Sequence, residues 1–268
     1  MPVTPVPFEL WPEGAPHAKG AAKEDRPTLT PFLPDGAGPF GCVIVCPGGG
    51  YRVRAEHERT PICEWLRGLG LAAFLLDYRV FPYHYPVPQL DIQRAIRTVR
   101  ARAAEFRIDP QRLATLGFSA GGHLAVSAAV LFERNFEAPR DAIDKLDPRP
   151  NAFVDCYGVI SFTDFAHPGC TTNFLGAQPS AELLASVSLE KHVTPRTPPG
   201  FIWHTFEDAA VPAPHFLLLA QAMSKHGVPY ELHCWPKGRH GLGLAVDDPA
   251  VGAWTGQCAR WLKDVGIR

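Results

Sequence analysis

The chain has 268 residues, 46% of them hydrophobic, and is therefore long enough to bury a full core as a single domain over residues 1–268. Its 26 lysines and arginines nearly balance its 27 aspartates and glutamates, which gives a formal net charge of −1 and excludes the basic surface that nucleic-acid and anionic-membrane binders need. No apolar run approaches the roughly 20 residues of a membrane span, so we expect neither nucleic acid nor a membrane as a partner.

The amino terminus and the cysteines indicate the compartment. No basic region followed by an apolar run begins the chain, so a secretion signal is not expected. The seven cysteines are an odd number, and several lie in apolar, strand-like runs, which predicts buried thiols in a reducing cytoplasm. No Cys-x-x-Cys pair occurs, so we expect no structural metal site, and no organic cofactor is required.

The first half of the chain predicts two short edge strands and then buried elements. Residues 1–40 are rich in proline and glycine, and stretches 8–11 and 28–32 fit an antiparallel hairpin at a sheet edge. Residues 42–46 form a continuous apolar run, the pattern of a strand buried on both faces. We next expect a helix over 60–68, a strand over 72–78, a proline-broken loop over 81–88 and an amphipathic helix over 89–106. A group of arginines is spaced like the solvated face of that last helix: Arg94, Arg97, Arg100, Arg102 and Arg107.

The second half continues the alternation. It predicts a strand that ends at Ser119, a helix to 132, strands over 152–160, 201–205 and 230–235, and helices over 181–185, 213–226 and 250–264. Such alternation predicts an α/β fold with a mostly parallel sheet covered by helices on both faces. Segment 162–200 is the least regular part and is a candidate for a small flap over the carboxyl edge of the sheet.

Ser119 is the centre of the predicted site. It lies in Gly117-Phe118-Ser119-Ala120-Gly121, between a predicted strand and a predicted helix. This is the context that the G-x-S-x-G motif requires, because side chains at the glycines would collide with crowded backbone. The helix also directs free N–H groups and its positive dipole end at the serine. Both features suit a nucleophile.

A serine nucleophile needs a base, usually a histidine oriented by a carboxylate. In an α/β sheet the order is serine, acid, histidine, with each partner after a late strand. His240 lies between glycine-rich residues after the last predicted strand and is our predicted base. The competing histidines lie within predicted strands or helices: His123, His204, His226 and His233.

The acid and the oxyanion donors follow from the same logic. Asp208 and Glu207 compete after strand 201–205, and we favour Asp208 because it is shorter and precedes Val211-Pro212 by three residues. A tetrahedral intermediate also needs backbone donors. Gly49 and Gly50 follow the third predicted strand, and Ala120 follows the nucleophile, so these three residues are our predicted oxyanion hole.

With these residues in place, the sequence resembles the α/β-hydrolase superfamily and, within it, the esterase/lipase-like group that includes acetyl xylan esterases and short-chain carbohydrate esterases. The resemblance runs from about Leu10 to Leu262. It rests on four blocks: Pro47-Gly48-Gly49-Gly50-Tyr51, Asp109-Pro110 with 117–125, Asp208 with Val211-Pro212, and 238–243. It implies the α/β-hydrolase fold, a small acyl pocket and no large cap domain.

The sequence departs from that group at two places in the chain. Cys46 stands where many relatives carry histidine, and Phe206-Glu207 stands where a smaller residue and a second aspartate are common. Phe206 is expected to narrow the pocket. Gly48, Tyr51 and Tyr83 are further candidates for contact with substrate. The aromatic rings of Tyr51 and of the 81–85 loop either stack on a sugar or aryl group or pack within the protein.

The predicted function is hydrolysis of a carboxylic ester through an acyl-enzyme on Ser119, and the resemblance implies a small acyl group, most simply acetyl. The resemblance extends this to acetylated carbohydrates. Three alternatives stay open: an arylformamidase-like amide hydrolase, a serine peptidase, and a non-catalytic binding scaffold of the same fold. The sequence leaves monomer and homo-oligomer equally open.

Overall fold

The computed structural model describes residues 5–268, so the first four residues of the predicted amino-terminal segment lie outside the described part. Within it the strands are β1 (Phe8–Glu9), β2 (Thr28–Phe32), β3 (Phe40–Cys46), β4 (Ala72–Asp77), β5 (Ile108–Phe118), β6 (Ala152–Cys156), β7 (Gly200–Thr205) and β8 (Tyr230–Trp235). The helices are α1 (Thr60–Gly68), α2 (Val87–Ala101), α3 (Ala103–Phe106), α4 (Ala120–Val130), α5 (Pro168–Leu175), α6 (Ala181–Val187), α7 (Pro214–Lys225), α8 (Pro249–Gly252) and α9 (Trp254–Asp264).

All eight strands form one sheet in the order β1-β2-β4-β3-β5-β6-β7-β8. β1 pairs antiparallel with β2, and β2 pairs antiparallel with β4, which confirms the predicted edge hairpin. The strands from β4 to β8 pair in parallel. Their carboxyl ends therefore meet at one edge, where active sites of open α/β sheets lie. The predicted α/β class with a mostly parallel sheet is confirmed.

The continuous apolar run of β3 reflects burial on both faces. Cys42, Ile44 and Cys46 pack with α2 and α4 on one face. Val43 and Val45 point to the other face and pack with α1 and α9. Because side chains alternate along a strand, a sheet covered on both sides needs an apolar residue at every position. Burial of Val43, Ile44 and Val45 stabilises the fold by roughly 1.5–3 kcal/mol for each side chain.

Several predicted boundaries were wrong, and local chemistry explains two of them. The strand expected over 152–160 ends at Cys156, because Tyr157 has a positive φ of 43° and turns the chain out of the sheet. The helix expected over 89–106 starts at Val87, since Pro88 in its first turn loses no hydrogen bond, and it is interrupted after Ala101. The predicted strand 8–11 is shorter, and the predicted helix 250–264 is split into α8 and α9.

The seven cysteines all have free thiols, and six of them are buried as predicted, while Cys234 is exposed. Within residues 5–268, none of the helices combines the length and the apolarity that crossing a bilayer would require.

The prediction of a solvated arginine face was wrong for Arg94. This side chain is buried, and its guanidinium donates to the Leu10 carbonyl at 3.0 Å and to Asp141 at 2.7 Å. It also donates to Asp144 at 2.8 Å and packs over the Trp11 ring. One arginine of α2 thus ties the amino-terminal segment and the 141–144 loop to the core.

Asp141→Asn is expected to lower the free energy of unfolding by at most about 1 kcal/mol at pH 7, because water screens the nearly half-exposed Asp141 carboxylate. Hydrogen bonds from Arg94 lower the pKa of Asp141 to about 2. The stabilisation is therefore complete above the ordinary pKa of 3.8 and is lost as the pH falls toward 2. Urea unfolding of both proteins at pH 7 and at pH 3 measures this. Glu133→Gln, in the exposed Glu133–Arg196 pair, serves as the control. It should leave the free energy of unfolding unchanged at both pH values. A difference between native protein and Asp141→Asn that grows on acidification would contradict the assignment.

Candidate active site

Ser119 lies on a sharp turn between β5 and α4. Its φ of 53° and ψ of −120° are unfavourable for a residue with a side chain, and such strain is typical of a nucleophile at this turn. The turn is held by a bond from the Ser119 N–H to the Cys156 carbonyl at 3.0 Å. A Cβ on Gly117 would overlap the Gly121 carbonyl, and a Cβ on Gly121 would overlap the Cys46 carbonyl, so both positions require glycine as predicted.

The three side chains predicted from the sequence meet at the carboxyl edge of the sheet. The Ser119 hydroxyl donates to His240 Nε2 at 2.8 Å. The His240 Nδ1–H donates to Asp208 Oδ2 at 2.6 Å. Asp208 follows β7, and His240 follows the neighbouring β8, so the parallel pairing of these strands brings both loops to the serine. The arrangement can transfer the serine proton to the imidazole while the carboxylate orients the ring.

Asp208 is held in place as an anion. Its side chain is fully buried, and Oδ1 accepts the N–H groups of Ala210 and Val211, each at 2.9 Å. Burial alone would raise the pKa of this carboxyl, but the hydrogen bonds from His240 and Val211 outweigh it and place the pKa below the ordinary value. Glu207, the other candidate, is exposed, and its Oε2 lies 3.4 Å from the Gly238 N–H.

The glycine loop after β3 supplies free backbone donors beside the serine. The Gly48 N–H is occupied, since it donates to Glu58 Oε2 at 2.7 Å. Within residues 5–268, the N–H groups of Gly49, Gly50 and Ala120 have no hydrogen-bond acceptor. Gly49 and Gly50 border the same cavity as Ser119. Such donors can stabilise an oxygen that becomes negative when the serine attacks a carbonyl.

The cavity in front of Ser119 has a volume of about 230 Å³. Besides Ser119 and His240, its walls include Gly49, Gly50, Ala55, His57, Glu58, Val159, His167, Cys170, Ala210, Val211 and Gly241. His167 and Cys170 belong to the predicted flap segment, which contains α5 and α6 and forms one wall. Movement of this segment as a flap remains a prediction.

The structure does not bring the other predicted substrate contacts to this cavity. Tyr51 is fully buried, stacks on Phe174 with ring centroids 4.2 Å apart, and its hydroxyl lies 2.7 Å from His123 Nδ1. Tyr83 is buried beside Asp25, and Phe206 is 74% exposed. Tyr51 and Tyr83 therefore pack within the protein, which is the second of the two interpretations given above. Phe206 does not narrow the cavity.

Three polar residues that line the cavity were not predicted from the sequence: His57, Glu58 and His167. Glu58 lies in a short 3-10 turn at Glu56–Glu58, and His167 precedes α5, where its Nδ1 accepts the Cys170 N–H at 3.1 Å. The hydrogen bond to Glu58 raises the pKa of His57, although burial opposes this shift. These residues come from irregular segments, so no periodicity or motif distinguishes them.

Comparison with known proteins shows which family this chain belongs to. The pattern of the BD-FAE family matches residues 32–223. The structure of an acetyl ester-xyloside bifunctional hydrolase from Caldicellulosiruptor lactoaceticus is 43% identical, with a TM-score of 0.92, over 98% of this chain and 97% of that one.

Two relatives found by sequence are longer proteins. Endo-1,4-beta-xylanase B of Butyrivibrio fibrisolvens is 35% identical over 86% of this chain and 36% of its own length. Acetylxylan esterase of Xylanibacter ruminicola is 30% identical over 88% of this chain and 46% of its own length. This chain thus spans less than half the length of either relative. The fold, the serine turn and the family match together place the chain in the BD-FAE family of the α/β-hydrolase superfamily.

Proposed function

We propose that this chain hydrolyses carboxylic esters with short acyl groups, most simply acetyl esters of a carbohydrate, by transferring the acyl group to Ser119. One observation carries the proposal: the hydrogen-bonded chain from Ser119 through His240 to the buried Asp208, open to a cavity that also presents free backbone N–H groups. The names of the relatives, an acetylxylan esterase and an acetyl ester-xyloside hydrolase, support the acetyl and sugar parts.

The first half of the reaction forms the acyl-enzyme. As the Ser119 oxygen attacks the ester carbonyl, His240 Nε2 takes the hydroxyl proton, and Asp208 stabilises the resulting imidazolium. The carbonyl oxygen becomes negative and receives hydrogen bonds from Ala120 and from Gly49 or Gly50. When the tetrahedral intermediate collapses, the C–O bond to the alcohol breaks, and His240 returns the proton to the leaving oxygen.

The second half frees the acid. Water attacks the acyl carbon and gives its proton to His240, and the same backbone donors hold the second tetrahedral intermediate. Collapse breaks the bond to Ser119, which regains its proton from His240. Each step uses only water and groups of this chain.

The size of the cavity supports a small acyl group. Its volume of about 230 Å³ lies below the roughly 300–1,000 Å³ of sites that enclose drug-sized ligands. A two-carbon acyl group leaves most of this space to the alcohol, whereas an eight-carbon chain competes with the alcohol for it. Lengthening the acyl chain therefore costs contacts between the alcohol and the walls of the cavity.

Activity of the native protein on p-nitrophenyl esters from acetate to octanoate tests this. We expect kcat/KM to be highest for acetate and to fall at least about tenfold by octanoate, because a longer chain displaces the alcohol from the cavity. Release of acetate from acetylated xylo-oligosaccharides is measured in parallel. Rates that rise with chain length would contradict the small acyl pocket. Hydrolysis of an N-formyl arylamide but of no ester would favour the arylformamidase alternative, and no hydrolysis at all would favour a binding scaffold.

A further inference from the structure

A buried carboxylate lies beside the proposed site and takes no part in the steps above. Glu58 is only 2% exposed. Its Oε2 accepts the Gly48 N–H at 2.7 Å, and its Oε1 accepts the Tyr157 hydroxyl at 2.7 Å. Among residues 5–268, no lysine or arginine pairs with it, and the nearest basic group is the largely exposed His57, with Nε2 at 3.4 Å. Burial of a carboxylate costs free energy unless hydrogen bonds compensate for the lost hydration. The two groups that donate to Glu58 therefore keep it in place.

The first bond reaches the glycine loop. A Cβ on Gly48 would lie 2.7 Å from Glu58 Oε2 and 3.0 Å from Ser119 Cβ, so this residue is held tightly between the carboxylate and the serine. Gly49 and Gly50, which carry the free N–H groups, follow it directly. The position of these donors therefore depends on where Glu58 holds the start of the loop.

The second bond reaches the histidine loop through Tyr157. This tyrosine is buried, and its left-handed φ of 43° turns it away from the end of β6. Its hydroxyl, while donating to Glu58, accepts the Gly243 N–H at 2.9 Å. Its ring also meets the His240 ring edge-on, with centroids 5.2 Å apart. Tyr157 thus contacts the loop that carries His240 both by a hydrogen bond and by packing.

Taken together, the bonds form one continuous buried path, Gly48–Glu58–Tyr157–Gly243, between the loop of the oxyanion donors and the loop of the base. We propose that Glu58 and Tyr157 are positioning residues that fix these two loops relative to each other. This inference rests on the proposed esterase function. A shift of about 1 Å between reacting groups can cost about a hundredfold in rate, so a rigid link between the loops has a direct kinetic consequence.

The test compares Glu58→Gln, Tyr157→Phe and the double variant on p-nitrophenyl acetate. Gln keeps the volume of Glu, but when its oxygen accepts the Gly48 N–H, its amide N–H group faces the Tyr157 hydroxyl, which then loses the acceptor for its own hydrogen. Phe removes the hydroxyl that serves both neighbours. We expect each single change to lower kcat about 10- to 100-fold, with KM altered less than about threefold. Because both act through one path, the double variant should be no slower than about the slower single variant.

Tyr83→Phe is a matched control. The Tyr83 hydroxyl also donates to a buried carboxylate, that of Asp25, and accepts a backbone N–H, that of Lys19, at 2.8 Å, but Tyr83 does not border the cavity. We expect its melting temperature to fall about as much as that of Tyr157→Phe, while kcat stays within about twofold of the native value. This comparison separates lost stability from lost positioning. Should Tyr157→Phe fail to fold, Glu58→Gln decides alone.

Two results would overturn the inference: a kcat of the folded Glu58→Gln or Tyr157→Phe variant within about twofold of native, or losses that multiply in the double variant. Failure of the esterase proposal looks different, because either the native protein would then hydrolyse no ester or Ser119→Ala would retain the activity. If Ser119→Ala is inactive while the two positioning variants are as fast as the native protein, the esterase function stands and only the present inference fails.

Discussion

Replacing Ser119 by alanine is expected to lower kcat on p-nitrophenyl acetate about a millionfold, to the level left by binding and the oxyanion donors. The Ser119 oxygen is the atom that forms the acyl-enzyme, and its hydroxyl is the one bonded to His240 Nε2 at 2.8 Å. Without it, water must attack the ester directly. Steady-state rates of p-nitrophenol release measure the loss, and mass spectrometry after treatment with a fluorophosphonate should find the adduct on Ser119 of the native protein only.

Ser127→Ala supplies a matched control for this variant. Ser127 is buried on the same helix, α4, and its hydroxyl donates to the Leu124 carbonyl at 2.7 Å, away from the cavity. We expect it to cost some stability and to leave kcat within about twofold of native. Ester hydrolysis that survives in Ser119→Ala, or a fluorophosphonate adduct on another residue, would rule out the acyl-enzyme mechanism proposed here.

Ser119, Asp208 and His240 could be predicted from the sequence because each lies in a recognisable local pattern. Gly117 and Gly121 mark a turn that tolerates no side chain, and the alternation of strands and helices predicts that loops after β7 and β8 reach the same edge. Chain order restricts the search to those two loops and favours His240, and the shorter side chain and its spacing before Val211-Pro212 then favour Asp208 over Glu207. Their meeting in the structure follows from the parallel register, in which Thr205 lies beside Trp235.

Features that depend on distant contacts could not be read in this way. Glu58 is one of several acidic residues in a polar stretch, and only the fold shows that it lies under Gly48 and Tyr157. Tyr51 is an aromatic residue of the kind that stacks on ligands, yet its ring is covered by Phe174, which is far from it in the sequence. Arg94 matches the spacing of a solvated face but is covered by the 141–144 loop. Burial of polar side chains is decided by tertiary packing, which periodicity alone does not encode.

Asp208→Asn is expected to lower kcat about ten-thousandfold while KM changes little. The native carboxylate accepts the Nδ1–H of His240 at 2.6 Å, which leaves Nε2 free to accept the serine proton. Asn can instead donate an amide N–H to Nδ1. The imidazole then carries its proton on Nε2, and Nε2 can no longer accept the serine proton. Steady-state kinetics on p-nitrophenyl acetate measure the loss.

Glu207→Gln is the control, since Glu207 neighbours Asp208 in the chain but is exposed, and we expect its kcat to stay within about twofold of native. If Glu207→Gln were the slower variant, the assignment of the acid would be reversed.

The pH dependence of the activity is a second check on the role of Asp208. Because hydrogen bonds from His240 and Val211 outweigh burial and place the pKa of Asp208 below its ordinary value of 3.8, this carboxylate is charged throughout the range from about pH 5 upward. The contribution of this charge to the native activity should therefore be complete from about pH 5 upward and be lost only at lower pH, as the pH falls through the lowered pKa of Asp208.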